Sequence, residues 1–189
     1  MHSNQSGIER RIAAHLKERR LASGLSLADL AERSGVSPAM ISKVEHSAAS
    51  PTAALLGRLC NGLGVTLSSL IANAEQTSSP LVRAKEQTSW QDPVTGLTRT
   101  MISPDLADSA VEIVRIDLPS DTSVSYDAQR YLRYEQQVVP LKGRLHLTVG
   151  DKEYDLGPWD CLLMPTNQPL RFHNRGQVSC RYLVIVRKT

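Results

Sequence analysis

At 189 residues the chain is long enough for one large domain or two small ones, so length alone does not decide the domain count. A hydrophobic content of 41% beside 22% charged residues is ordinary for a soluble globular protein and argues against a largely disordered chain. The formal net charge of +3 is too small to indicate a nucleic-acid-binding protein by itself.

The cysteines and the first residues indicate the cellular compartment. Cys60, Cys161 and Cys180 form an odd set without CxxC or Cys/His metal spacing, and the sequence starts without a secretory leader. These features predict a cytoplasmic protein with free, inert thiols, because the reducing cytoplasm keeps thiols unpaired. No apolar run approaches the ~20 residues of a membrane span, so no membrane association is expected.

Composition changes sharply near residue 75. All the Trp, Tyr and Phe residues follow this point, whereas the part before it is rich in Ala, Leu and Ser. Alternating patterns typical of strands, such as AVEIVRIDL, RLHLTV and YLVIV, also follow it. The change predicts an α+β chain with two domains: a helical domain over 1–73, a polar linker over 74–89 and an all-β domain over 90–189.

The helical part is predicted to hold five short helices. Its first seven residues are polar and are expected to form an unstructured arm. Ile8, Ile12 and Leu16 then recur on one face of a first helix. Glycine readily adopts the left-handed conformation of a helix end, and it follows the first, second and fourth predicted helices at Gly24, Gly35 and Gly64.

The second and third helices have explicit start signals. Ser26 is followed three residues later by Asp29, which is the spacing of a capping box. Ser37 precedes Pro38, and proline is favoured at the first helical position because its missing N–H costs nothing there. The tight turn over residues 33–36 between the two helices predicts helix-turn-helix geometry.

Two more helices follow the helix-turn-helix unit. Ser50 and Pro51 repeat the Ser-Pro signal and predict the start of the fourth helix. Thr66 is expected to cap a fifth helix that runs through Ile71.

The helical part contains, in this order, the segments LADLAERSGVS, ISKVE, SPT and LGVTLSSLI. In these segments it resembles the lambda-repressor/Cro class (XRE family) of helix-turn-helix domains, and the resemblance extends along its whole length. The resemblance implies a five-helix bundle that binds double-stranded DNA and places its third helix in the major groove. It also implies a structural ion pair between Arg20 and Glu45.

The exposed face of the third helix carries the expected DNA contacts. Lys43 is its one long donor able to reach a guanine edge or a phosphate, and Ala39 and Met40 offer apolar contact to thymine methyl groups. Ser42 lies on the same face, and His46 just past the helix is expected to contact the DNA backbone.

Two serines at helix N-termini, Ser26 and Ser37, are expected to bind phosphates with hydroxyl and backbone N–H groups. The third helix is poor in Arg, Asn and Gln, so DNA shape is expected to contribute to recognition. Residues 1–75 hold eight Lys/Arg against six Asp/Glu, a weak excess with which a monomer should bind poorly. A homodimer is therefore expected, with two heads about 34 Å apart on an operator.

Short strands separated by turn signals predict a sandwich or barrel after the linker. The segments LKGRLHLTVG, YDLGPWD, MPTNQPLRFHN and YLVIV resemble, in order, the cupin family of small jelly-roll β-barrels. A Cro-like head fused to a cupin is itself a familiar regulator architecture. The resemblance therefore implies a transcription regulator whose cupin barrel dimerises it and senses a signal.

The cupin resemblance also implies where a metal would be held. Cupins usually bind a divalent metal with two His, a Glu and a third His, and these positions fall here at Gln129, Tyr131, Gln136 and Leu170. None of these residues is a normal ligand for catalytic Fe, Mn or Zn. A register slip of one residue would offer Glu135 instead. We expect no metal and no other cofactor.

A retained cavity without metal predicts a site for a small organic effector, because amide, phenol and apolar groups converge there. The alternative is that the same side chains simply fill the barrel. Arg130, Arg133 and Arg171 flank these positions and are interpreted as a solvated face rather than as partners of an anionic ligand. The expected effector-binding residues are Gln129, Tyr131, Tyr134, Gln136, Leu170 and Phe172.

The sequence thus predicts a sequence-specific, DNA-binding transcriptional regulator without enzymatic activity, more often a repressor than an activator in such proteins. It is expected to act as a dimer and to bind a small effector in a metal-free cupin domain. Two alternatives stay open: a cupin enzyme with a helical appendage, and a repressor whose barrel only dimerises or binds a protein partner. A signal is expected to reach the DNA-binding part through residues 73–89.

Overall fold

The computed structural model describes residues 2–71, 79–104, 109–128, 131, 134–165 and 167–188, with side chains from Gly7 to Arg187. Within these residues a helical part, here termed the head, precedes a β domain. The helices of the head are α1 (His2–Ala22), α2 (Leu27–Ser34), α3 (Pro38–Glu45), α4 (Ala53–Leu63) and α5 (Leu67–Ile71). None of the described helices combines the length and apolar character that a membrane crossing requires.

The caps of α2 and α3 are those predicted. The Ser26 hydroxyl accepts the Asp29 N–H at 3.1 Å, and the Asp29 carboxylate accepts the Ser26 N–H at 2.8 Å. The Ser37 hydroxyl accepts the Met40 N–H at 3.3 Å. Gly35 ends α2 in the left-handed region at φ 66°. The expected helix-turn-helix pair is confirmed at these positions by its own hydrogen bonds.

Two expectations about the helices are wrong. The polar N-terminus is not an arm, because α1 begins at His2. The fourth helix does not begin at the Ser50–Pro51 signal, because Thr52 is its N-cap and accepts the Leu55 N–H at 3.2 Å. Ser50 instead donates its hydroxyl hydrogen to Glu9 of α1, at 3.1 Å, and so ties the preceding loop to the first helix.

The strands are β1 (Ser89–Gln91), β2 (Thr98–Met101), β3 (Val111–Leu118), β4 (Thr122–Tyr126), β5 (Tyr134–Lys142), β6 (Leu145–Val149), β7 (Lys152–Leu156), β8 (Leu162–Met164), β9 (Leu170–Asn174) and β10 (Cys180–Lys188), with a short 3-10 helix at Ala84–Glu86 before them. They form one sheet in the order β1-β2-β3-β10-β5-β8 and a second in the order β4-β9-β6-β7. Every pairing is antiparallel. Neither sheet closes on itself, so the expected closed barrel is not confirmed among the described strands.

The β domain core lies between the two sheets. In the larger sheet Val184 pairs in register with Val114 on one side and Val138 on the other, and all three side chains are buried. In the smaller sheet Leu147 pairs with Phe172, and both are buried. Period-2 alternation therefore sends one side of each strand inward, as a two-layer sandwich requires.

The head packs directly on the β domain along a set of contacts here termed the seam. The carboxylate of Asp92 accepts the Ala53 N–H at the start of α4. Between α5 and the larger sheet, the Thr66 hydroxyl bonds to the Glu112 carboxylate at 3.0 and 3.1 Å, and an Arg99 N–H bonds to the Ser68 hydroxyl at 3.0 Å. Further seam contacts join Asn61 to Ala128 and to Tyr131, and Gly57 to Tyr126.

Candidate DNA interface and interdomain cavity

The helix-turn-helix unit is held by side chains behind α3. Leu30 of α2 and Ile41 of α3 are fully buried. Arg20 of α1 donates two hydrogen bonds to the Glu45 carboxylate, at 2.7 and 2.9 Å, and a third to the Leu25 carbonyl oxygen at 2.8 Å. The ion pair implied by the family resemblance is therefore present, and it fixes the end of α3 against α1.

The predicted DNA contacts of α3 lie together on its outer side. Ala39, Met40 and Lys43 are exposed, Ser42 is half-buried, and His46 is exposed just beyond the helix. The His46 ring lies against the helix end, with its Nδ1 2.7 Å from the Ser42 carbonyl oxygen. The structure thus assembles one face, and its contact with DNA remains a prediction.

The two predicted phosphate-binding serines differ in their surroundings. The hydroxyl and N–H of Ser26 are both engaged by Asp29, and these bonds lower the pKa of that carboxyl, so a negative charge stands where the phosphate was expected. No acidic residue lies in the first turn of α3. Ser37 therefore offers the better helix N-terminus for a phosphate, because repulsion by a nearby carboxylate is absent from that turn.

A cavity of about 60 Å³ lies between the head and the inner faces of both sheets. Its head side is formed by Gly57, Cys60, Val65, Thr66 and Leu67. Its apolar β-domain side is formed by Ile116, Leu170, Phe172, Val184 and Val186. Its polar β-domain side is formed by Arg99, Tyr126, Tyr134, Gln136 and Tyr182. The rings of Phe172 and Tyr182 stack in parallel with centroids 5.6 Å apart.

Four of the six predicted effector residues meet in this cavity: Tyr134, Gln136, Leu170 and Phe172. Tyr131 does not. Its side chain is 53% exposed, its N–H donates to Asn61 of α4 at 3.3 Å, and its ring lies 5.9 Å from the guanidinium of Arg33. Placing Tyr131 in the cavity was therefore wrong, because Tyr131 contacts the head instead. Gln129 lies outside the described residues.

The proton-bearing groups of the cavity are held neutral by burial. Desolvation raises the pKa of Tyr126, Tyr134 and Tyr182, and raises the pKa of the Cys60 thiol to about 12. The Arg99 charge opposes this rise at every one of these groups without overcoming it. The cavity therefore presents hydroxyl and thiol hydrogens as donors, beside one guanidinium.

Comparison with known proteins assigns both parts of the chain. A helix-turn-helix family model (HTH_3) matches residues 16–70, and a cupin domain model (Cupin_2) matches residues 133–186. The chain carries a helix-turn-helix domain followed by a cupin domain. The described fold agrees with that of an HTH_3 family transcriptional regulator from Vibrio cholerae, with a TM-score of 0.81 and 24% identity over 98% of this chain and 99% of that one.

Two further similarities are more restricted. A stretch of 80 residues is 38% identical to the HTH-type transcriptional regulator SutR of Escherichia coli (strain K12) and covers 42% of this chain and 44% of SutR, less than half of either protein. A crystal structure of FeII HppE shares 18% identity over 94% of this chain and 98% of that one, with a TM-score of 0.50. At this identity the second similarity concerns the fold alone.

The residues of the cupin domain do not fit a bound metal ion at the positions the family uses. Gln136 and Leu170 point inward there. Glu135, the alternative carboxylate, points to solvent and pairs with Arg187 at 3.0 Å. His146 and His173 are paired on the opposite face of the smaller sheet. Amide oxygen and leucine make no donor set for Fe, Mn or Zn, and no group of three His, Cys, Asp or Glu suited to a metal occurs within the described residues.

Sequence reasoning missed the most polar part of the cavity. The sequence did not predict that Arg99 and Tyr126 line the cavity together with residues of α4 and α5, because this arrangement depends on how the head docks. Arg99 lies opposite Ile116 of β3, a pairing that only the structure shows. Of the three free cysteines, Cys161 is exposed beside Gln137 of β5, whereas Cys60 and Cys180 are buried.

Proposed function

We propose that this protein is a sequence-specific, DNA-binding transcriptional regulator that acts as a dimer and represses its target in the cytoplasm. One observation carries the proposal: the outer face of α3 is exposed, while α4 and α5 of the same head line the cavity of the cupin domain. Occupancy of the cavity therefore bears on the element that binds DNA. The two similar proteins named as transcriptional regulators support this function.

Dimerisation is supported by the outer face of the larger sheet. Ile185 and Leu183 of β10 alternate with the inward residues and are half-buried, flanked in register by Ile113 of β3 and Val139 of β5. Leu163 at the adjoining edge is 59% exposed. An apolar stripe on the solvent side of an antiparallel sheet is typical of an interaction surface. A second copy of this chain is its proposed partner.

The dimer is tested by sedimentation of the unmodified chain and of Leu183→Glu, with Val178→Glu as the control. Val178 is 64% exposed in the loop before β10, away from the stripe. We expect monomers only in the first variant, because a carboxylate cannot be buried unpaired at the interface. Equal sedimentation of the two variants would place any dimer contact elsewhere.

The effector is proposed to bind in the cavity, metal-free, with Tyr134, Gln136, Leu170 and Phe172 in contact. The proposed route to the head then runs through the seam, whereas the sequence predicted one through residues 73–89. Arg99, Glu112 and Tyr126 belong to the cupin domain and touch α4 or its neighbour α5. An effector that shifts these side chains changes how the head is docked, and this differential contact is what allostery requires.

The first experiment measures binding of the full chain to DNA from immediately upstream of its own gene, at two salt concentrations, with excess competitor DNA. Lys43→Ala is compared with Lys152→Ala, which removes an exposed lysine from the start of β7. We expect Lys43→Ala to weaken binding about tenfold and to reduce the salt dependence. Lys152→Ala should leave both unchanged. Equal losses in the two variants would show that α3 is not the DNA-binding face.

A further inference from the structure

Among the described residues that line the cavity between head and cupin domain, Arg99 has a buried nitrogen without a hydrogen-bond partner. Among the described residues that line the cavity, Arg99 alone carries a full charge. One of its terminal nitrogens bonds to Ser68 at 3.0 Å, but its Nε is buried and has no hydrogen-bond partner. A buried donor without a partner costs free energy, and more so on a charged group.

The carboxylates whose charges reach the cavity are held by other donors. Glu112 accepts the Thr66 hydroxyl hydrogen. Asp92 accepts the backbone N–H groups of Ala53, Val94 and Thr95. The tyrosines and Cys60 remain neutral because burial raises each pKa, as described above. Among the described residues that line the cavity, the neighbours of the guanidinium are thus uncharged: hydroxyl, thiol, amide and apolar side chains. A planar guanidinium matches the geometry of a carboxylate.

The size and the apolar wall restrict the occupant further. A volume of about 60 Å³ is several times what one enclosed water needs, which corresponds to about four to six non-hydrogen atoms. Leu170, Phe172 and Ile116 line one side. An inorganic oxyanion has no apolar surface to pack against these side chains, whereas a short carbon chain would lie against them.

We infer that the effector is a small organic carboxylate whose carboxylate group pairs with Arg99 and whose short body lies against Phe172 and Leu170. The inference rests on the proposed function, because it names the ligand class of the same cavity. Arg171, which was considered from sequence as a partner of an anion, lies on the other side of β9 and is exposed. Arg99 also bonds to Ser68 of α5, so a ligand that takes the guanidinium acts on a contact of the head.

The test measures binding of acetate, propionate, lactate and pyruvate to the full chain by calorimetry, each beside its amide: acetamide, propionamide, lactamide and pyruvamide. The two members of a pair have the same number of non-hydrogen atoms and differ in charge. We expect at least one acid to bind at least about tenfold more tightly than its amide, because only the acid pairs with the guanidinium. Equal binding of acids and amides, or no binding of any acid below about 10 mM, would overturn the inference.

Two variants locate the site. Arg99→Gln should weaken the binding of the preferred acid at least about tenfold, and Arg171→Gln should change it less than about twofold. The reverse pattern would place the anion on the outer face of the smaller sheet and overturn the assignment. Circular dichroism checks that both variants are folded, and the comparison of acids with amides in the unmodified chain decides the ligand class independently of them.

Sulfate forms a separate arm. Sulfate binding as tight as that of the preferred acid would assign the cavity to inorganic oxyanions and overturn the choice of a carboxylate. Operator binding is measured on the same preparations. Operator binding without any acid binding would contradict the proposed ligand class but not the function as a regulator. Acid binding without operator binding would contradict the proposed function but not the ligand site.

Discussion

The outer and inner sides of the head are built from helices of the same bundle but are specified in different ways. On the outer side, α2 and α3 are started and ended by residues within a few positions of each other, such as Ser26 with Asp29. On the inner side, α4 and α5 meet partners far along the chain, such as Glu112 and Tyr126. Local signals suffice for the surface proposed to bind DNA, whereas the surface around the cavity exists only once the two domains have docked.

The largest expected effect is a loss of stability when the ion pair that holds α3 against α1, on the outer side of the head, is broken. Glu45→Ala leaves the buried Arg20 guanidinium without its carboxylate, and breaking a buried pair in this way costs about 3–5 kcal/mol. Urea denaturation should show this loss in the free energy of unfolding. Glu32→Ala, which removes an exposed carboxylate from α2, should change it by less than about 0.5 kcal/mol. A loss below about 1 kcal/mol for Glu45→Ala would mean that the pair does not hold α3 in place.

The next effect concerns the inner side. A Cβ added at Gly57 would lie 2.8 Å from Cδ1 of Tyr126, so Gly57→Ala should lower the free energy of unfolding by about 1–3 kcal/mol. Helix propensity alone predicts the opposite sign, a gain of about 1 kcal/mol. Gly7→Ala is the matched control, because nothing lies within 4 Å of a Cβ there. If thermal unfolding shows both variants stabilised alike, α4 does not pack tightly on the cupin domain.

A smaller effect is expected at the contact between α5 and β3. Thr66→Val removes the hydroxyl that donates to Glu112 and accepts the Ser69 N–H at 3.1 Å. The loss should be about 1–2 kcal/mol, with faster amide exchange in α5. Thr66→Ser keeps the hydroxyl and should retain most of the stability. The seam contact would be irrelevant to docking if the Val and Ser variants exchanged at the same rate.

The smallest effect is a pH-dependent one on the outer side. Ser26→Ala removes a helix cap and should cost about 1 kcal/mol at neutral pH. The hydrogen bonds of Ser26 lower the pKa of Asp29, so the stability that they provide is complete above the ordinary pKa of 3.8 and is lost as the pH falls through the lowered value. The difference in the free energy of unfolding between the variant and the unmodified chain, measured by urea denaturation, should therefore shrink toward about pH 3. A difference independent of pH would show that the Ser26 hydroxyl does not interact with the Asp29 carboxylate.

These contrasts explain what the sequence could predict. Ser26, Ser37, Gly35 and Gly64 act within their own helix ends, so their roles follow from spacing alone. Leu170 and Phe172 reach the cavity because strand alternation places every second side chain inward. For Arg171 the sequence left two interpretations, a solvated side chain or a partner of an anionic ligand. The strand pairing of β9 was needed to show that Arg171 points outward.

The errors share a physical origin in contacts between distant segments. Tyr131 was placed in the cavity by the motif spacing of the cupin family, but it precedes β5 and contacts Asn61 and Arg33 of the head. Thr52 replaced Ser50 as the cap of α4 because Ser50 is bonded to Glu9. Arg99 could not be recognised as a cavity residue, since its neighbours come from three separated parts of the chain. Docking, rather than any local propensity, decides these positions.

The bond from Ala53 to Asp92 has a consequence for building hybrid regulators. The carboxylate that closes the start of α4 comes from the turn after β1, and the same carboxylate also orders that turn through Val94 and Thr95. A head excised at the composition boundary near residue 75 would leave this acceptor behind. A graft that transplants the DNA-binding specificity onto another cupin must therefore carry, or recreate, an acidic residue at the equivalent turn. In this chain the unit that can be exchanged between proteins extends beyond the helices, through residue 95.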